Sequence, residues 1–560
     1  MKQFMKYAGL VAVMLLAAMA AQARVININA DNIKGDFATQ LNAACGRATY
    51  GDTVVLDFGK GTYTIDATVT LRCHVIMRGK GRDKSVILLD NNASKLKTDT
   101  YFLLHGNLQN PIHVSISDLG FKLREHKGFW WDGIEKYVVQ IHHANSVEIR
   151  DVDSFLADAN ATNFNLHVCS NVNITGCNLT NYNNGETGGC LWIRGEMHNV
   201  HVSGNRFYKY GKDEILAVFD RVVDNSTKYI RGKASRTDIF IEGNEFHYGD
   251  YKGWNKKNTD ANCDMLLSLF TDHRKTDDRC LTSNFHLRGN KFYINDVTTR
   301  CMYIGFDPAD EHRDIYIENN EIVHSQPKND VPYYYCDIEV HDLSASSDVI
   351  HINGNSLKNN HAIMNKYGTT GYAFLVTRGG HVSMADNTIV NYVTRNASTG
   401  KPYGIELVWH KSDGNNSDVT MTGNVCKGLD CIAHVGAWQL AEGFSLNASN
   451  NYFSGITRVN CESIKKLDLD FKGNTLNSTS ETFFLEGFAQ KGNVVFNNNE
   501  VTINNGRGQF LTRSHGSSGG RIDKLEIQNN VFKGVKSESD MLKNVTNVRK
   551  RKVASNAISR

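Results

Sequence analysis

The sequence predicts an all-β solenoid, and the main observation behind this prediction is a short phrase that returns along the chain. An alternating apolar pair is followed by Gly-Asn-x-Phe at Asn205, Asn244 and Asn290. The shortest spacings leave too little chain for a strand plus a packed helix. Repetition at such a period indicates stacked coils, whose long groove suits a polymer. Looser copies of the phrase contain Asn178, Asn320, Asn355, Asn387, Asn424, Asn474, Asn499 and Asn530.

The first residues predict export. Met1, Lys2 and Lys6 precede an apolar run that ends in Ala21-Gln22-Ala23, which is typical of a secretory signal with a small-x-small cleavage site. We therefore expect a signal peptide over residues 1–23, cleavage near Ala23 and a secreted or periplasmic protein. No later stretch is apolar enough to predict a membrane span. The formal charge of +3 over 560 residues gives no reason to expect a nucleic-acid partner.

The rest of the chain divides into three predicted regions. Residues 24–80 form an N-terminal cap and the first coils, and Phe37 to Cys45 has helical spacing. A helix at the end of a solenoid would cover its apolar core and its unpaired strand edge. Residues 81–545 form the coils with loop insertions, and residues 546–560 are predicted to be a solvated basic tail.

The cap sequence and the asparagine corners resemble those of right-handed parallel β-helix proteins of the pectate-lyase-like superfamily, in which side-chain amides stack from coil to coil. The resemblance implies a right-handed parallel β-helix of about a dozen coils with an N-terminal capping helix. The superfamily contains polysaccharide lyases, glycoside hydrolases, epimerases, esterases and phage tailspikes, so the fold alone does not choose a function. The strands of its long first sheet are expected at Val138–His143, Phe164–Cys169, Leu191–Gly195, Ile215–Asp220, Met265–Phe270, Met302–Asp307, Ile338–Asp342, Phe374–Arg378, Ile405–His410, Ile432–Val435, Phe483–Phe488 and Phe510–Arg513.

Strand alternation predicts one column of polar residues on this sheet. Where the apolar residues of a strand point inward, their neighbours point outward. Three consecutive coils should therefore expose a column inside the main groove, made of His142, His167 and Arg194 with the neighbouring Gln140, Asn165 and Trp192. The alternative is an ordinary solvated face on which these residues happen to align.

The column suggests a lyase for uronate polymers. In β-elimination the uronate carboxylate is neutralised so that a base can remove the adjacent carbon-bound proton. We expect Arg194 to bind the carboxylate with help from His142 or Lys212, and His167 to act as the base. Further substrate contacts are expected from Gln140, Asn165, Trp192 and Asp220.

A glycoside hydrolase is the first alternative. Asp213 and Glu214 precede a first-sheet strand that ends at Asp220, a placement similar to that of the acidic pair in polygalacturonase-type hydrolases. Hydrolysis requires one acid to protonate the leaving oxygen and one carboxylate to activate water. The supporting Gly-His-Gly and Arg-Ile-Lys motifs of those enzymes are absent from the sequence.

A second acidic group predicts a candidate calcium site. If Ile338 and Val340 point inward, Asp337 and Glu339 point outward beside Asp307 of the preceding coil, and oxygen ligands suit Ca²⁺. The arrangement is similar to the calcium site of chondroitinase-B-like and alginate-lyase β-helices, although the Lys of those families is replaced here by Ser344. The alternative is a plain acidic surface.

The sequence therefore predicts a secreted or periplasmic carbohydrate-active enzyme, with a polysaccharide lyase as the first interpretation. Its expected partner is an acidic polysaccharide, and Ca²⁺ is the only candidate cofactor. The second alternative is a non-catalytic glycan-binding or tailspike-like β-helix, which would have shallow aromatic sites instead of one polar cluster.

Overall fold

The computed structural model describes residues 23–559 apart from 91–99, 125–135, 158, 183–187, 212, 220–221, 224–228, 231–234, 250–262, 271–279, 296–297, 326–334, 361–371, 393–403, 412–414, 437–440, 463, 505–507 and 513–519. The predicted signal peptide lies outside the described residues except for Ala23, and so do Lys212 and Asp220. Of the residues described, none belongs to a helix long and apolar enough to cross a bilayer.

Nearly all described strands join one parallel sheet of 46 strands, arranged in three stacks. The first stack contains Val69–Leu71, Thr100–His105, Lys136–Arg150, Ala161–Thr175, Leu191–Ser203, Leu216–Phe219, Cys263–Phe270, Thr298–Phe306, Tyr335–Asp342, Tyr372–Thr377, Ile405–His410, Val425–Val435, Val459–Cys461, Thr482–Glu486 and Gln509–Thr512. The strands Lys136–Arg150, Ala161–Thr175 and Leu191–Ser203 continue into the second stack, and Val425–Val435 begins in the third.

The second stack contains Val25–Asn29, Thr53–Asp57, His74–Arg78, Ile112–Ser117, Ser235–Glu242, Leu281–Arg288, Glu311–Glu318, Val349–Asn353, Gly380–Ala385, Asn416–Thr422, Ala441–Ser449, Ile464–Lys472, Lys491–Asn497, Arg521–Gln528 and Val548–Ala554. The third contains Gly61–Ile65, Ser85–Leu89, Gly120–Leu123, Asp153–Ala157, Asn178–Tyr182, Arg206–Tyr210, Glu245–Tyr248, Lys291–Ile294, Glu321–His324, Ser356–Asn359, Thr388–Asn391, Tyr452–Gly455, Thr475–Ser478, Glu500–Ile503, Val531–Lys533 and Ala557–Ser559. A separate antiparallel pair joins Val222–Val223 to Tyr229–Ile230.

This topology confirms the right-handed parallel β-helix. The chain returns to the same face after each coil, and each first-stack strand pairs in parallel with its equivalent one coil later. Val139, for example, lies beside Phe164, which lies beside Leu191. The inward residues of all three stacks form one continuous hydrophobic core. The protein is accordingly all-β, with few helical residues.

The asparagine corners form one buried ladder between the second and third stacks. Asn244 Oδ1 accepts hydrogen bonds from the backbone N–H and the Nδ2 of Asn205, both at 3.0 Å, and Asn244 Nδ2 donates to the Val202 carbonyl at 2.8 Å. Asn290 and Asn320 repeat this pattern on the next coils. The predicted ladder is thus confirmed at a single corner. It continues through Asn355, Asn387, Asn424, Asn451, Asn474, Asn499 and Asn530 to Asn556.

Each residue of the repeated phrase has its own structural role. Gly204, Gly243 and Gly289 have φ of 62 to 64°, a left-handed conformation that favours glycine. Phe246 stacks on the equivalent phenylalanines of the two adjacent coils, with ring centroids 4.7 and 4.9 Å apart. The prediction was wrong for Asn178, which hydrogen-bonds Asp153 while the preceding Cys177 occupies the ladder position.

Replacing Asn244 with Ala is expected to lower the free energy of unfolding by about 1–3 kcal/mol, because it leaves buried N–H and C=O groups of the adjacent coils without partners. Urea denaturation measures the change. Asn173, which is exposed on the strand Ala161–Thr175, provides the control. We expect Asn173→Ala to change stability by less than about 0.5 kcal/mol. Equal effects of the two variants would contradict the role of the ladder.

The two ends of the solenoid differ in how well they were predicted. The expected N-terminal helix spans Phe37–Cys45; its N-cap Asp36 accepts from the Thr39 N–H at 3.1 Å, and its buried residues include Leu41. A second helix, Glu538–Met541, and a 3₁₀ turn, Ala30–Asn32, are short. The tail prediction was wrong in one respect: residues 548–559 form the last two strands of the β-helix, although the basic residues 549–552 are exposed as expected.

Candidate functional site

The outward face of the first stack contains the predicted column. His142 pairs with His167, and His167 pairs with Arg194, on three consecutive coils. His105 precedes them at the same position one coil earlier. The register of the column is therefore as predicted. Its members lie outside the main core, and Trp192 packs with Ala217 and Phe219 in a separate cluster on the outer face.

The prediction that this column is exposed to solvent was wrong. All six of its predicted residues are buried, with no more than 8% of any of them exposed: Gln140, His142, Asn165, His167, Trp192 and Arg194. Alternation along a strand fixes the side of the sheet to which a residue points. It gives no information on what covers that side. His167, the predicted base, is fully buried and has no direct access to a polymer in solvent.

Burial also decides the charge of the histidines. The rings of His142 and His167 stack with centroids 4.4 Å apart. Burial, assisted by the neighbouring histidines and Arg194, lowers the pKa of His142 to about 3 and that of His167 well below its usual value. Both imidazoles are therefore neutral near neutral pH. The Arg194 guanidinium lies 4.2 Å from the centroid of Trp192 and 4.7 Å from that of Phe219, so aromatic faces stabilise its charge.

Several polar atoms of the column are buried without a hydrogen-bond partner. Thr100 donates to Gln140 Oε1 at 2.9 Å, and Gln140 Nε2 lies 3.4 Å from His167 Nε2. An unpartnered buried polar atom costs free energy, and such atoms concentrate where a ligand or ion completes the site. Those without partners here are His142 Nε2, His167 Nδ1, both amide atoms of Asn165, Trp192 Nε1 and Arg194 Nε.

The acidic residues of the hydrolase alternative have a local role. Asp213 has a φ of 64°, and its Oδ2 accepts from the Gly188 N–H at 2.7 Å, so the carboxylate holds a loop in place. Glu214 follows it, and both residues are half-buried.

The predicted calcium site is wrong. The strand Tyr335–Asp342 departs from alternation at its start: Cys336 packs with Ala373 in a cluster outside the main core, whereas Ile338, two residues later, belongs to the main core. Asp337 consequently accepts from the hydroxyl of the core residue Tyr372 at 2.5 Å and lies 2.8 Å from His324 Nε2.

Asp307 lies in the turn that follows its strand, and its N–H donates to Asp310 Oδ2 at 2.8 Å. Glu339 forms ion pairs with two arginines. Within the described part of the chain, the one group of three or more possible ligands in mutual reach is His105, His142 and His143.

The two arginines belong to a second polar cluster, of which the predictions assigned only Glu339, as a calcium ligand. We call Arg300, Tyr303, Glu339, His341 and Arg378 the tyrosine–histidine cluster. Glu339, 1% exposed, pairs with Arg300 and with Arg378 Nε at 2.8 Å. The Tyr303 hydroxyl lies 3.2 Å from His341 Nδ1. Tyr303 and His341 are only half-buried, so this cluster is more open than the histidine–arginine column.

A glycine makes room for the tyrosine. Gly305 pairs with His341 across the sheet, and a Cβ at Gly305 would lie 2.8 to 3.0 Å from the Tyr303 ring and hydroxyl. Burial and the nearby Glu339 raise the pKa of Tyr303 to about 12, so its hydroxyl stays protonated at neutral pH. The sequence signal that could have identified Tyr303 and His341 as a pair was strand alternation. It recurs in Met302-Tyr303-Ile304 and in Ile338-Glu339-Val340-His341.

A third cluster on the same face is charged. His434 lies between Glu406, 3.1 Å from Nδ1, and Glu462, 3.3 Å from Nε2, and it stacks on Trp409. Burial alone would lower the pKa of His434, but the two carboxylates outweigh it and raise the pKa to about 10. His434 is therefore an imidazolium at neutral pH.

This pKa predicts a loss of stability at alkaline pH. Because the folded pKa lies above the ordinary value of 6.5, the contribution of His434 is complete below about pH 6.5 and is lost as the pH rises towards about 10. We expect the free energy of unfolding to fall by about 2 kcal/mol after allowing for the solvent exposure of Glu462. Urea denaturation at about pH 6 and about pH 9.5 measures this change.

The loss should disappear in His434→Gln. It should persist in His381→Gln, which removes a half-buried histidine paired with Asp418 at 3.1 Å. An equal loss in wild type and His434→Gln would contradict the assignment.

Comparison with known proteins finds similarity only among solved structures. No protein-family profile and no curated protein matches the chain. A mannuronic-acid-specific family 6 polysaccharide lyase from human gut microbiota is 11% identical, with a TM-score of 0.30 over 81% of this chain and 86% of that one. A GH87 alpha-1,3-glucanase from Streptomyces thermodiastaticus is also 11% identical, with a TM-score of 0.32 over 95% and 69%.

The surface adhesin PfbA of Streptococcus pneumoniae is 10% identical, with a TM-score of 0.33 over 95% of this chain and 100% of that one. At these identities and TM-scores the similarities carry no conclusion about activity. The β-helix itself is established by the strand register of this chain.

Proposed function

We propose that this protein is a carbohydrate-active enzyme that cleaves a uronate-containing polysaccharide by β-elimination, with the tyrosine–histidine cluster as its reaction centre. The observation that carries the proposal is the contact of Tyr303 with His341 beside two arginines, on the outward face of a long parallel sheet. Successive coils of such a face offer successive contacts to the units of a polymer. The predicted centre at His167 is set aside because that residue is fully buried.

The cluster contains the three groups that β-elimination requires. Arg300 and Arg378 bring two guanidinium groups together at Glu339, and guanidinium groups bind carboxylates through paired N–H donors, so we assign them the substrate carboxylate. Binding of that carboxylate makes the proton on the adjacent carbon more acidic. His341 accepts this proton as the base, a double bond forms, and the glycosidic carbon–oxygen bond breaks. Tyr303, protonated at neutral pH, donates its proton to the leaving oxygen.

The experiment is an assay of the secreted protein on a panel of uronate polymers and one neutral hexose polymer. A lyase forms a product with a new double bond, which absorbs in the ultraviolet, on a uronate polymer only. New reducing ends without this absorbance would replace the lyase by a hydrolase and would direct attention to Asp213 and Glu214. Binding of the polymer without cleavage would overturn the enzyme proposal in favour of a glycan-binding protein.

A further inference from the structure

Three histidines at one corner of the β-helix have the arrangement of a metal site. His105 ends the strand Thr100–His105, and His142 and His143 lie in the next coil, on Lys136–Arg150. Each offers one ring nitrogen, and these nitrogens all lie within 4.8 Å of one another. No function assigned above uses this group, and the sequence spacing gave no sign of it because the ligands come from two coils.

The backbone brings two consecutive side chains to the same place. Along a regular strand, His142 and His143 would point to opposite faces of the sheet. His143 has a φ of 51°, in the left-handed region, so the alternation is broken at this residue. The ring centroids of His142 and His143 are 6.4 Å apart, and those of His105 and His142 are 5.4 Å apart. Left-handed non-glycine residues persist where the surrounding structure requires them, often at functional sites.

Gly106 allows the two coils to approach each other closely at this corner. A Cβ at Gly106 would lie 2.3 Å from the His143 carbonyl oxygen, so the two coils approach closely only because residue 106 has no side chain. Two ring nitrogens at the corner, His142 Nε2 and His143 Nδ1, are buried and have no hydrogen-bond partner.

We propose that His105, His142 and His143 bind one divalent transition-metal ion, of which Zn²⁺ is the representative. Three imidazoles with a fourth position open to water or an anion form a common tetrahedral zinc site. Ligand nitrogens around tetrahedral Zn²⁺ lie about 3.3 Å apart, so nitrogens that now lie within 4.8 Å of one another must approach by at most about 1.5 Å.

The test is a Zn²⁺ titration of the chelator-treated protein, purified without a histidine tag and followed by calorimetry and metal analysis. We expect about one Zn²⁺ per chain and a higher Tm in its presence. His105→Gln and His143→Gln should each weaken binding by about tenfold or more. His201→Gln is the control, because His201 is exposed, stacks on Phe240 and lies on another part of the surface. It should leave the affinity unchanged.

Wild-type protein alone provides a second measurement that does not depend on the folding of any variant. X-ray absorption of the zinc-loaded chain should count three imidazole ligands. Fewer than three imidazoles, no saturable uptake of Zn²⁺, or unchanged affinity in both folded variants would overturn the proposal. None of these readouts requires activity on a polysaccharide, so the zinc site and the lyase proposal fail independently.

Discussion

Tyr303→Phe is expected to lower kcat/KM on a uronate polymer by about 10²- to 10⁴-fold, because the variant loses the proton donor for the leaving oxygen. Binding of the polymer should change little, since the arginines that attract the carboxylate remain. Initial rates of ultraviolet absorbance, together with a binding measurement on the same polymer, separate the two effects. Tyr316→Phe is the control, because Tyr316 is equally half-buried but lies in the second stack between His286 and His351.

A second variant tests the position of the same hydroxyl without removing it. Gly305→Ala places a methyl group 2.8 to 3.0 Å from the Tyr303 ring and hydroxyl, so the ring must shift from the position in which it contacts His341. Misplacement of a catalytic group by about 1 Å costs on the order of 10²-fold in rate. A fully active Tyr303→Phe variant would contradict the assigned role of Tyr303. An inactive Gly305→Ala variant with normal unfolding behaviour would support it.

The fold was predictable because each residue of the repeated phrase has a local structural role that recurs in many coils. Glycine takes the left-handed turn at Gly243, Asn244 joins the ladder, and Phe246 joins the aromatic stack. Asn451 was missed, although Asn450 precedes it with a φ of 56° and takes the place of the glycine. The signal there was an Asn-Asn pair, since asparagine also tolerates the left-handed conformation.

The site was predictable only in part, because alternation gives the side of a strand but not its surroundings. His142, His167 and Arg194 align as predicted, yet all three are buried, which the alternation within one strand does not reveal. Asp337 shows a second limit of the prediction, which is that a strand can depart from regular alternation. A break in alternation at the start of its strand places the carboxylate beside Tyr372, and the strand sequence contains no glycine or proline that would signal it.

Glu339→Ala is expected to produce the largest loss of stability in the first stack. It removes the carboxylate that pairs with both Arg300 and Arg378, whose two positive charges then lie close together and partly buried. Breaking a buried ion pair by removing one partner typically costs about 3–5 kcal/mol. The exposed pair of Lys358 and Glu321, 2.9 Å apart, gives the control, and Glu321→Ala should cost less than about 1 kcal/mol.

The loss should remain local, because each coil of a solenoid contacts only its neighbours. Native-state hydrogen exchange is therefore the appropriate measurement. A local cost of about 3–5 kcal/mol accelerates exchange by roughly 10²- to 10³-fold or more. We expect this acceleration in Thr298–Phe306, Tyr335–Asp342 and Tyr372–Thr377, and unchanged exchange in Thr53–Asp57. Uniform acceleration along the whole β-helix, or none at these three strands, would show that Glu339 does not hold the arginines in place.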